Sequence, residues 1–491
     1  MDGNKLLTKS NYSIGLQCLK YLWIELNEEG KIPTYEAATL HKFDEGRLVD
    51  ELAKKLFPKG IDIPTEDFMG NITKTKEFIA QGKLLFGAGI LYNRIYSRLD
   101  ILIPTEDDDW DIIEVKSSTK VKLEHLDDVS FQRYCCEKSG LKIRKCFIMH
   151  VNNEYIKHGE INPKEFFKIE DITAEVDAAI KGIEQRIDSM IKVINSSKCP
   201  DISISKKCNS PYECLLKESC WNFLPSGNVF ELYYGGAKSF QLLEKGVYSI
   251  KDIPANVSLT DRQQIQKDCS INGNPYICKE EIKAFLDTLI YPIHFMDFET
   301  FDPCVPLFDG TKPYQKIPFQ FSLHIIEKER AKPQHCFFLA DGVGDPRPKF
   351  LSSLKRIIKD RGSIIVYNQT FEKNVLKELN ETYHDYKEWA DNVSGRMKDL
   401  LDIFKSFAYY HPNQQGSASI KNVLPVLAEK NYKGMEISNG EDASLAFLEM
   451  TYGNVSEEQR KRIRDNLERY CCLDTEGMLL IVEKIKELTV A

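Results

Sequence analysis

The segment YPIHFMDFETF, residues 291–301, is the feature that most constrains this chain. It ends an apolar run with Asp297 and Glu299, which stand two positions apart. In a β-strand, residues i and i+2 project from the same face, so both carboxylates would project together, opposite Met296 and Phe298. Two adjacent anions repel each other unless a cation lies between them. The segment therefore predicts a strand that presents a divalent-metal site.

The chain has 491 residues, too many for a single core, and its sequence divides into three stretches. Residues 1–222 mix helical patterns with a β-rich middle and end in a cysteine-containing segment. Residues 223–290 predict a helical connector, similar either to a helix-hairpin-helix or to a plain spacer. Residues 291–491 begin with strands and continue with helices, which predicts a mixed sheet flanked by helices. The expected fold class is a multidomain α/β protein.

Hydrophobic periodicity predicts the main elements. The strands predicted for one sheet of the first stretch are ILYNRIYSRLDILIP (90–104), DIIEVKSS (111–118) and KCFIMHV (145–151). Helical spacing appears in the same stretch at 44–57 and 174–194. The strands predicted for the third stretch are IHFMDFE (293–299), PFQFSLHII (318–326), HCFFLA (335–340) and SIIVYN (363–368).

Charge and composition indicate the cellular location of the protein more than the reaction that it catalyses. The net charge of −8 gives no sign of a nucleic-acid binder, but a nuclease needs only a local basic groove. The N-terminal sequence lacks the apolar core of a signal peptide, and no run is long enough to cross a bilayer. We therefore expect a cytoplasmic protein without membrane contact, in which the fourteen cysteines stay reduced.

Two segments downstream of the opening pattern carry further acids, IIVYNQTFEKNVL (364–376) and LERYCCLDTEGML (467–479). This order resembles the DnaQ-like exonucleases of the RNase H-like fold. Their pattern is D-x-E on the first strand, an acid after N-x-x-F, and Y-x-x-x-D on a late helix. Glu372 departs from the usual aspartate by one methylene. The resemblance implies that two Mg²⁺ or Mn²⁺ ions are bound by Asp297, Glu299, Glu372 and Asp474.

The residue types suit phosphodiester hydrolysis. Two divalent ions can neutralise charge on both the attacking and the leaving oxygen, and these hard cations prefer carboxylate oxygens. Tyr470 lies one helical turn before Asp474 and so shares its helix face, where its hydroxyl could orient the attacking water. The segment GSASIKNVLPVLA (416–428) also resembles a segment of related proteins and offers Lys421 as a phosphate contact.

The first stretch carries a second acidic set. RLDILIP places Asp100 on one predicted strand, and IIEVKSS places Glu114 and Lys116 on the next. This pattern resembles the PD-(D/E)XK nucleases, in which two acids bind a metal while the lysine orients water and stabilises developing negative charge. A solvated strand pair would show the same Glu-x-Lys spacing. We expect an Mg²⁺ or Mn²⁺ site at this set as well.

Two neighbouring segments extend this second resemblance. SFQRYCC supplies Gln132 at the start of a predicted helix, similar to the Q-x-x-x-Y element of RecB-type nucleases, although Cys136 stands at the tyrosine position. EGRLVDELA resembles their G-x-x-x-H element, with Asp50 where the histidine would be. The resemblance therefore implies a role for Gln132 and offers Asp50 as a further metal ligand.

Cysteine spacing suggests a separate site. One cysteine near the N-terminus and a compact trio before Trp221 resemble the iron–sulfur staple of RecB-like and CRISPR-associated nucleases, although both gaps in this trio are five residues long. The resemblance implies a [4Fe–4S] cluster, with Zn²⁺ or simple packing as alternatives, and Cys199 could replace one ligand. The implied ligands are Cys18, Cys208, Cys214 and Cys220.

With both patterns in this order, the chain resembles an uncharacterised bacterial family that fuses a RecB-like nuclease to a DnaQ-like exonuclease. The two resemblances imply a metal-dependent nuclease with two centres that acts on DNA, on single strands or ends, in repair or in defence against mobile elements. RNA is the alternative polymer. A nucleic-acid-binding scaffold with one or both centres inactive is the alternative function. The sequence indicates no particular protein partner.

Overall fold

The computed structural model describes residues 5–64 and 66–490, and the chain forms two compact units. The first unit comprises Met1–Asn222 with Pro303–Gln315, and the second comprises Phe223–Asp302 with Lys316–Ala491. Each unit contains a mixed sheet and several helices. The chain is therefore a multidomain α/β protein, in agreement with the expectation from the sequence.

The first unit is built on a mixed sheet with strand order β2-β3-β4-β5-β6-β7, and β1 pairs with β4. Its strands are β1 (Leu7–Thr8), β2 (Ile61–Asp62), β3 (Leu85–Tyr92), β4 (Ile95–Pro104), β5 (Trp110–Lys116), β6 (Ile143–Val151) and β7 (Phe167–Asp171). β3, β4 and β5 are antiparallel neighbours, whereas β6 runs parallel to β5. The prediction that β4, β5 and β6 share one sheet is confirmed. The first predicted strand also contains the end of β3 and a turn at Asn93, where φ is 52°.

Nine helices are described for the first unit, apart from short 3₁₀ turns. They are α1 (Lys9–Gln17), α2 (Leu19–Asn27), α3 (Ala37–Lys54), α4 (Phe68–Ala80), α5 (Leu123–Lys138), α6 (Pro163–Phe166), α7 (Thr173–Ala179), α8 (Ile183–Ile194) and α9 (Lys217–Trp221). The helix predicted over 174–194 is interrupted at Gly182, whose φ of 73° suits glycine. Gln132 lies in the middle of α5 rather than at a helix start. The helix begins earlier than predicted, at Leu123. Hydrophobic periodicity does not indicate this start, because α5 buries polar side chains, including His125.

Both faces of the first sheet are covered by apolar side chains. Leu102 and Ile112 belong to one hydrophobic cluster, whereas their neighbours Ile101 and Ile113 belong to another. This alternation follows the period of two in a strand. It also fixes the register of β4 against β5, in which Ile101 pairs with Ile113. The next position of that register sets Asp100 beside Glu114.

Residues 303–315 complete the first unit although both of their sequence neighbours belong to the second. The Cys304 N–H donates to the Glu45 carboxylate at 2.7 Å. The Tyr314 hydroxyl donates to the Ser117 carbonyl oxygen at 2.5 Å, one residue beyond the end of β5. Burial raises the pKa of the Cys304 thiol to about 12. This segment therefore packs against the edge of the sheet that carries the acidic set of the first unit.

The second unit contains a five-stranded sheet and a separate strand pair. Its strands are β8 (Tyr276–Ile277), β9 (Ile293–Phe301), β10 (Ile317–Ile326), β11 (Gln334–Leu339), β12 (Ser363–Val366), β13 (Met397–Asp399) and β14 (Tyr409–Tyr410). The order is β11-β10-β9-β12-β13, in which β9, β10 and β11 are antiparallel and β12 and β13 run parallel to β9. The predicted mixed sheet and its four predicted strands are confirmed, and β8 pairs with β14.

The helices of the second unit cover this sheet. They are α10 (Ala237–Glu244), α11 (Asp261–Asn272), α12 (Lys279–Leu286), α13 (Arg347–Ile357), α14 (Gln369–Thr382), α15 (Lys387–Gly395), α16 (Leu401–Lys405), α17 (Ile420–Ala428), α18 (Gly440–Tyr452) and α19 (Glu457–Val490). Residues 223–290 belong to this unit. They contain a turn at Gly246 and a cap at the start of α11, where the Thr260 hydroxyl accepts from the Gln263 N–H at 3.3 Å.

The two faces of β9 differ, as the period of two predicts. Met296 and Phe298 pack into the main hydrophobic cluster of the second unit with residues of α13 and α14. On the opposite face, α19 packs across β9 and β10. Asp297 and Glu299 therefore lie under α19. Within the described part of the chain, no helix is both long and apolar enough to cross a membrane.

Candidate functional site

The acids of the second unit come from three elements, the strand β9 and the helices α14 and α19. β9 supplies Asp297 and Glu299, and α19 supplies Asp474. Glu372 lies in the first turn of α14. Glu299, Glu372 and Asp474 are only 6%, 1% and 7% exposed, respectively. Three buried carboxylates and the half-buried Asp297, from segments far apart in sequence, therefore lie near one another.

The start of α14 has a specific backbone geometry. Asn368 precedes the helix with φ at 82°, in the left-handed region. The Asp399 carboxylate accepts the N–H groups of Asn368 at 2.9 Å and Gln369 at 3.0 Å, which satisfies two donors at the helix start. This turn directs the first turn of α14 toward β9. Asn368 of the N-x-x-F pattern therefore has a structural role, and Glu372 reaches the other acids.

Cys471 lies against two of these carboxylates. One oxygen each from Asp297 and Glu299 and the sulfur of Cys471 lie within 4.8 Å of one another. The Cys471 thiol donates to Asp297 Oδ2 at 3.6 Å. Cys471 is completely buried. Its sulfur therefore lies beside the carboxylates, a position that the sequence did not reveal.

Burial and mutual repulsion disfavour ionisation of these acids. Burial raises the pKa of Asp297 well above its ordinary value, and the Asp474 carboxylate raises it further. The pKa of Glu299 is raised by burial and by the three other carboxylates. The pKa of Asp474 is raised by burial to about 6. Lys421 is the cation that opposes these shifts at Glu299 and Asp474. With one lysine for four carboxylates, the cluster has too little positive charge to neutralise the acids when they are ionised.

Glu372 shows how the longer side chain fits. Its pKa is raised well above the ordinary value by burial and by the nearby Asp297 carboxylate. Its Oε2 atom is buried without a hydrogen-bond partner among the described residues. An unsatisfied buried oxygen is costly, and a cation would satisfy it. The cluster therefore fits divalent metal ions with oxygen preference, and glutamate at this position does not remove the acid from the cluster.

Two tyrosines lie beside Asp474. The Tyr432 hydroxyl donates to Asp474 Oδ1 at 2.5 Å, and the nearby Tyr470 hydroxyl also lowers the pKa of this carboxyl. Burial and the adjacent carboxylates raise the pKa of both phenols, so both remain donors. Tyr470 was a sequence-predicted site residue, but Tyr432 was not. Tyr432 lies in an irregular segment between α17 and α18 that carries no periodic signal.

A cavity of about 420 Å³ lies in the same unit. Its wall includes the N-terminal end of α17 at Ser419, one position before Ile420. The Tyr367 hydroxyl donates to the Ala418 carbonyl at 2.6 Å, and Tyr234 is 82% exposed. The aromatic and basic side chains of the wall are Tyr233, Tyr234, Tyr367 and Lys405.

The acidic set of the first unit has a different electrostatic character. Glu114 is 1% exposed and accepts from Lys116 at 2.9 Å and from Lys9 at 2.5 Å, both through Oε1. Gln132 donates to its other oxygen. Burial favours the neutral acid, but the two ammonium groups outweigh burial and lower the pKa of Glu114. Glu114 is therefore ionised and already neutralised by side chains of the chain itself.

Asp100 and Asp50 are compensated less completely, because Lys9 and Lys116 only partly oppose the rise of their pKa. The Asp100 carboxylate accepts the Val115 N–H at 2.8 Å. Burial and the Glu114 carboxylate raise the pKa of Asp100 to about 8. Burial and Glu114 also raise the pKa of Asp50 to about 6. The structure thus brings Asp50, on α3, into electrostatic contact with the two strand acids.

Two residues of this set were missed by the sequence reasoning. Lys9 is the first residue of α1 and lies 105 positions from Glu114. Asp128 accepts from Lys116 at 2.7 Å. It stands four residues before Gln132 on α5, so the i, i+4 spacing was a usable signal. Lys9 carried no signal, because only the tertiary fold relates it to β5.

The four predicted cluster cysteines lie together beside α2. Cys18, Cys214 and Cys220 pack in one small hydrophobic cluster, which also contains Cys199. The pKa of Cys214 is raised to about 11 by burial and by the nearby thiols of Cys18, Cys208 and Cys220. The Ser205 N–H donates to the Cys208 sulfur at 3.4 Å. The structure therefore assembles these cysteines from the two ends of the first unit.

The spacing of these sulfur atoms bears on the choice of metal. A tetrahedral zinc ion with four Zn–S bonds of about 2.3 Å holds its sulfur atoms about 3.8 Å apart. Among the described residues, the predicted cysteines do not form a group with three sulfur atoms within 4.8 Å of one another. A four-iron cluster, which places its thiolate ligands on separate iron atoms, spans a wider set of sulfurs.

Comparison with known proteins gives family information for part of the chain. Residues 294–419 match a domain of unknown function, DUF2779. This match includes Asp297, Glu299 and Glu372 and ends before Asp474.

Curated relatives are distant. An uncharacterized protein of Mycoplasma pneumoniae, the MG366 homolog, is 25% identical over 212 residues, which cover 39% of this chain and 32% of the relative. The uncharacterized protein MG366 of Mycoplasma genitalium is 26% identical over 215 residues, covering 40% and 32%. The uncharacterized protein UU173 of Ureaplasma parvum is 25% identical over 218 residues, covering 40% and 31%. The chain thus spans about a third of the length of these relatives.

Proposed function

We propose that this protein is a cytoplasmic, metal-dependent nuclease that hydrolyses phosphodiester bonds in DNA, on single strands or at ends. The observation that carries the proposal is the convergence of three buried carboxylates and the half-buried Asp297 in the second unit. The Asp474 carboxylate raises the pKa of Asp297 and of Glu299, and Lys421 is the opposing cation at Glu299 and Asp474. Such a set is tolerable when divalent cations neutralise it. The resemblance to DnaQ-like exonucleases assigns the same residues.

In this proposal, the carboxylates of β9, α14 and α19 hold two Mg²⁺ or Mn²⁺ ions. When bound, a pair of such ions neutralises charge on the attacking and leaving oxygens of an in-line displacement. Tyr470 holds the attacking water by its hydroxyl, while Tyr432 fixes the orientation of Asp474. Lys421 at the N-terminus of α17 contacts a phosphate of the substrate. Each of these groups is held by burial, so little reorganisation is needed when substrate binds.

The cavity of the second unit suits an unpaired strand. Aromatic faces stack on bases without regard to sequence, and each stacked base contributes about 1–3 kcal/mol. Tyr234 presents an exposed ring at the cavity wall, and Lys405 adds a positive charge for the backbone. These features support single-stranded DNA as substrate. RNA is the alternative, because no group of the site identifies a reader of the 2′-hydroxyl.

The first unit would supply the second nuclease centre, of the PD-(D/E)XK kind. Asp100 and Glu114 would bind Mg²⁺ or Mn²⁺, with Asp50 as a further ligand. Lys116 would orient water, and Gln132 would fix Glu114. The four cysteines would hold a [4Fe–4S] cluster, which their wide sulfur spacing favours over zinc. The [4Fe–4S] cluster would link the two ends of the first unit.

One observation favours a second candidate function for the first unit. Lys9 and Lys116 both bond Glu114, so this acid has its counter-charge without a metal. A nucleic-acid-binding scaffold with an inactive first centre would have this arrangement. Such a scaffold predicts salt-dependent DNA binding that does not require the acids of β4 and β5.

An end-labelled panel of single-stranded DNA, duplex DNA and RNA tests these proposals with the full-length protein and Mn²⁺. Asp297→Asn disables the second-unit centre, and Asp302→Asn is its matched control, because Asp302 is exposed and pairs with Lys316. Glu114→Gln disables the first-unit centre, with the exposed Asp107→Asn as control.

We expect Mn²⁺-dependent cleavage of DNA that Asp297→Asn reduces by roughly 100-fold or more, while Asp302→Asn matches wild type. Loss of a separate product pattern in Glu114→Gln would support two active centres. Unchanged cleavage in both Asp297→Asn and Glu114→Gln would contradict the proposed nuclease. Cleavage restricted to RNA would assign the alternative polymer.

A further inference from the structure

A second group of ligand-type side chains lies on the α19-facing side of the sheet in the second unit. One ligand atom each from His324, His335 and Cys472 lie within 4.8 Å of one another. His324 and His335 are directly opposite each other on β10 and β11, and their rings stack with centroids 4.6 Å apart. Cys472 reaches them from α19. None of these residues belongs to the proposed carboxylate centre.

Hydroxyl groups behind the two imidazoles fix their orientation. The Thr475 hydroxyl lies 2.8 Å from Nδ1 of His324, and the Ser322 hydroxyl lies 2.9 Å from Nε2 of His335. The two hydroxyls are 2.7 Å apart, and the Thr475 hydroxyl also lies 3.1 Å from the Cys472 carbonyl oxygen. Metal-binding histidines usually have such hydrogen-bond partners on the ring nitrogen that does not bind the metal.

This network has a consistent proton assignment. Thr475 donates to the Cys472 carbonyl oxygen and accepts from Nδ1–H of His324. Ser322 donates to Thr475 and accepts from Nε2–H of His335. Each hydroxyl then uses its single proton once. The assignment leaves a lone pair on Nε2 of His324 and on Nδ1 of His335, which is the form of imidazole that binds a metal.

Burial and charge agree with this form. Burial, followed by the neighbouring His335 ring, lowers the pKa of His324 to about 4, and burial lowers the pKa of His335 as well. Both rings are therefore neutral at physiological pH. The charged groups that face them are Glu476, one turn after Cys472 on α19, and Lys430, which pairs with Glu476 at 2.6 Å. His335 is exposed and Cys472 is half-buried, so an ion can enter from solvent.

We propose that His324, His335 and Cys472 form a binding site for a transition-metal ion, with Zn²⁺ as the physiological occupant. Two imidazoles and one thiolate are borderline-soft ligands that suit Zn²⁺ and discriminate against Mg²⁺ and Mn²⁺. Three protein ligands leave the fourth tetrahedral position to water. Zn²⁺ binding displaces the thiol proton of Cys472 to solvent, and no oxidation or reduction accompanies it. The ion would join β10 and β11 to α19, the helix that carries Asp474. The site does not depend on the proposed nuclease activity.

The test is a Zn²⁺ titration of the full-length protein in Mg²⁺-containing buffer, in competition with a chromophoric indicator. Cys472→Ser and His335→Gln remove ligands from partly exposed positions, so both variants should fold. Cys336→Ser is the matched control. Cys336 is adjacent to His335 but packs into the hydrophobic cluster on the other side of the sheet. Metal bound by other cysteines of the chain is common to all four proteins and cancels in the comparison.

We expect wild type and Cys336→Ser to bind one more equivalent of Zn²⁺ than Cys472→Ser or His335→Gln, or to bind it with roughly tenfold or higher affinity. A Co²⁺ titration provides a second readout. The thiolate-to-cobalt charge-transfer absorption of this site should be lost in Cys472→Ser and retained in Cys336→Ser. Identical Zn²⁺ stoichiometry and affinity in all four proteins would overturn the proposal, whatever the outcome of nuclease assays.

Discussion

Tyr432 donates a hydrogen bond of 2.5 Å to Oδ1 of Asp474, which lies 42 positions further along the chain. The bond connects an irregular segment to α19 inside the carboxylate cluster. The bond favours the ionised form of Asp474. Burial acts in the opposite direction, and the pKa of that carboxyl is raised to about 6. A neutral side chain thus helps to keep one acid available for metal binding.

Replacing Tyr432 tests this relationship. Tyr432→Phe removes a hydrogen bond to a charged group, worth about 1.5 kcal/mol, and should raise the pKa of Asp474 by about one unit. Protons then compete better with metal, so the apparent Mn²⁺ affinity should fall about fivefold at pH 6 and hardly at all at pH 8. Calorimetric Mn²⁺ titrations at both pH values measure this. Equal affinity for wild type and variant at pH 6 would contradict the assigned role of Tyr432.

The stability of the metal-free protein should depend on pH in a defined direction. A carboxyl whose pKa is raised by folding binds more protons in the folded state, so its contribution to stability is lost as pH rises from about 4 through its folded pKa. For Asp474 that window ends at about 6. In EDTA, Asp474→Asn should therefore be more stable than wild type at pH 8, by roughly 2–3 kcal/mol, and no more stable at pH 4.

Thermal melts of both proteins at these two pH values measure the difference. Mn²⁺ should raise the melting temperature of wild type at pH 8 and have a smaller effect on Asp474→Asn. If Asp474→Asn is less stable than wild type at pH 8 in EDTA, the ionised Asp474 carboxylate does not destabilise the metal-free protein.

Lys9 should matter for stability more than its surface position suggests. Lys9→Met removes one of two ammonium groups on the buried Glu114. Removing one partner of a buried pair costs about 3–5 kcal/mol, but Lys116 and Gln132 still bond Glu114, so we expect about 1–3 kcal/mol. Lys31→Met is the control, because Lys31 forms an exposed pair with Glu28. Urea unfolding measures both, and equal midpoints for the two variants would contradict the assignment.

The cysteine cluster makes a prediction about colour and metal content. Protein purified without oxygen should be brown and contain about four iron atoms per chain, and Cys214→Ser should lose most of this iron. Cys278→Ser is the control, because Cys278 is half-exposed and lies outside the cluster, at the start of α12. Elemental analysis of iron and zinc decides the outcome. One zinc and no iron in wild type would assign the tetrahedral alternative.

Part of this architecture could be predicted from the sequence. The spacing of Asp297 and Glu299 identified β9 and both of its faces, because side chains along any strand alternate between its two faces. The same reasoning found Glu114 and Lys116 on β5. The spacing of Tyr470 and Asp474 was readable because both lie on one helix face. These signals depend only on residues that are close together in the sequence. They can therefore be interpreted without knowledge of the tertiary fold.

The rest depends on relations between distant segments. Lys9 meets Glu114 across 105 positions, and Tyr432 lies in a segment without regular structure. The pairing of His324 with His335 follows from the register of a hairpin, which alternating apolar residues do not specify alone. Residues 303–315 join the first unit, although their three prolines and one glycine predict only a loop between two strands.

The most direct test of the central claim is to count Mn²⁺ ions bound by the full-length protein, from the loss of the free-ion paramagnetic resonance signal. Asp297→Asn should bind fewer Mn²⁺ ions than wild type, or bind them roughly tenfold or more weakly, whereas the exposed-site control Asp302→Asn should match wild type. Ions bound by the first unit contribute equally to all three proteins. If Asp297→Asn binds as many Mn²⁺ ions as wild type with equal affinity, the carboxylates of β9 do not form a metal centre.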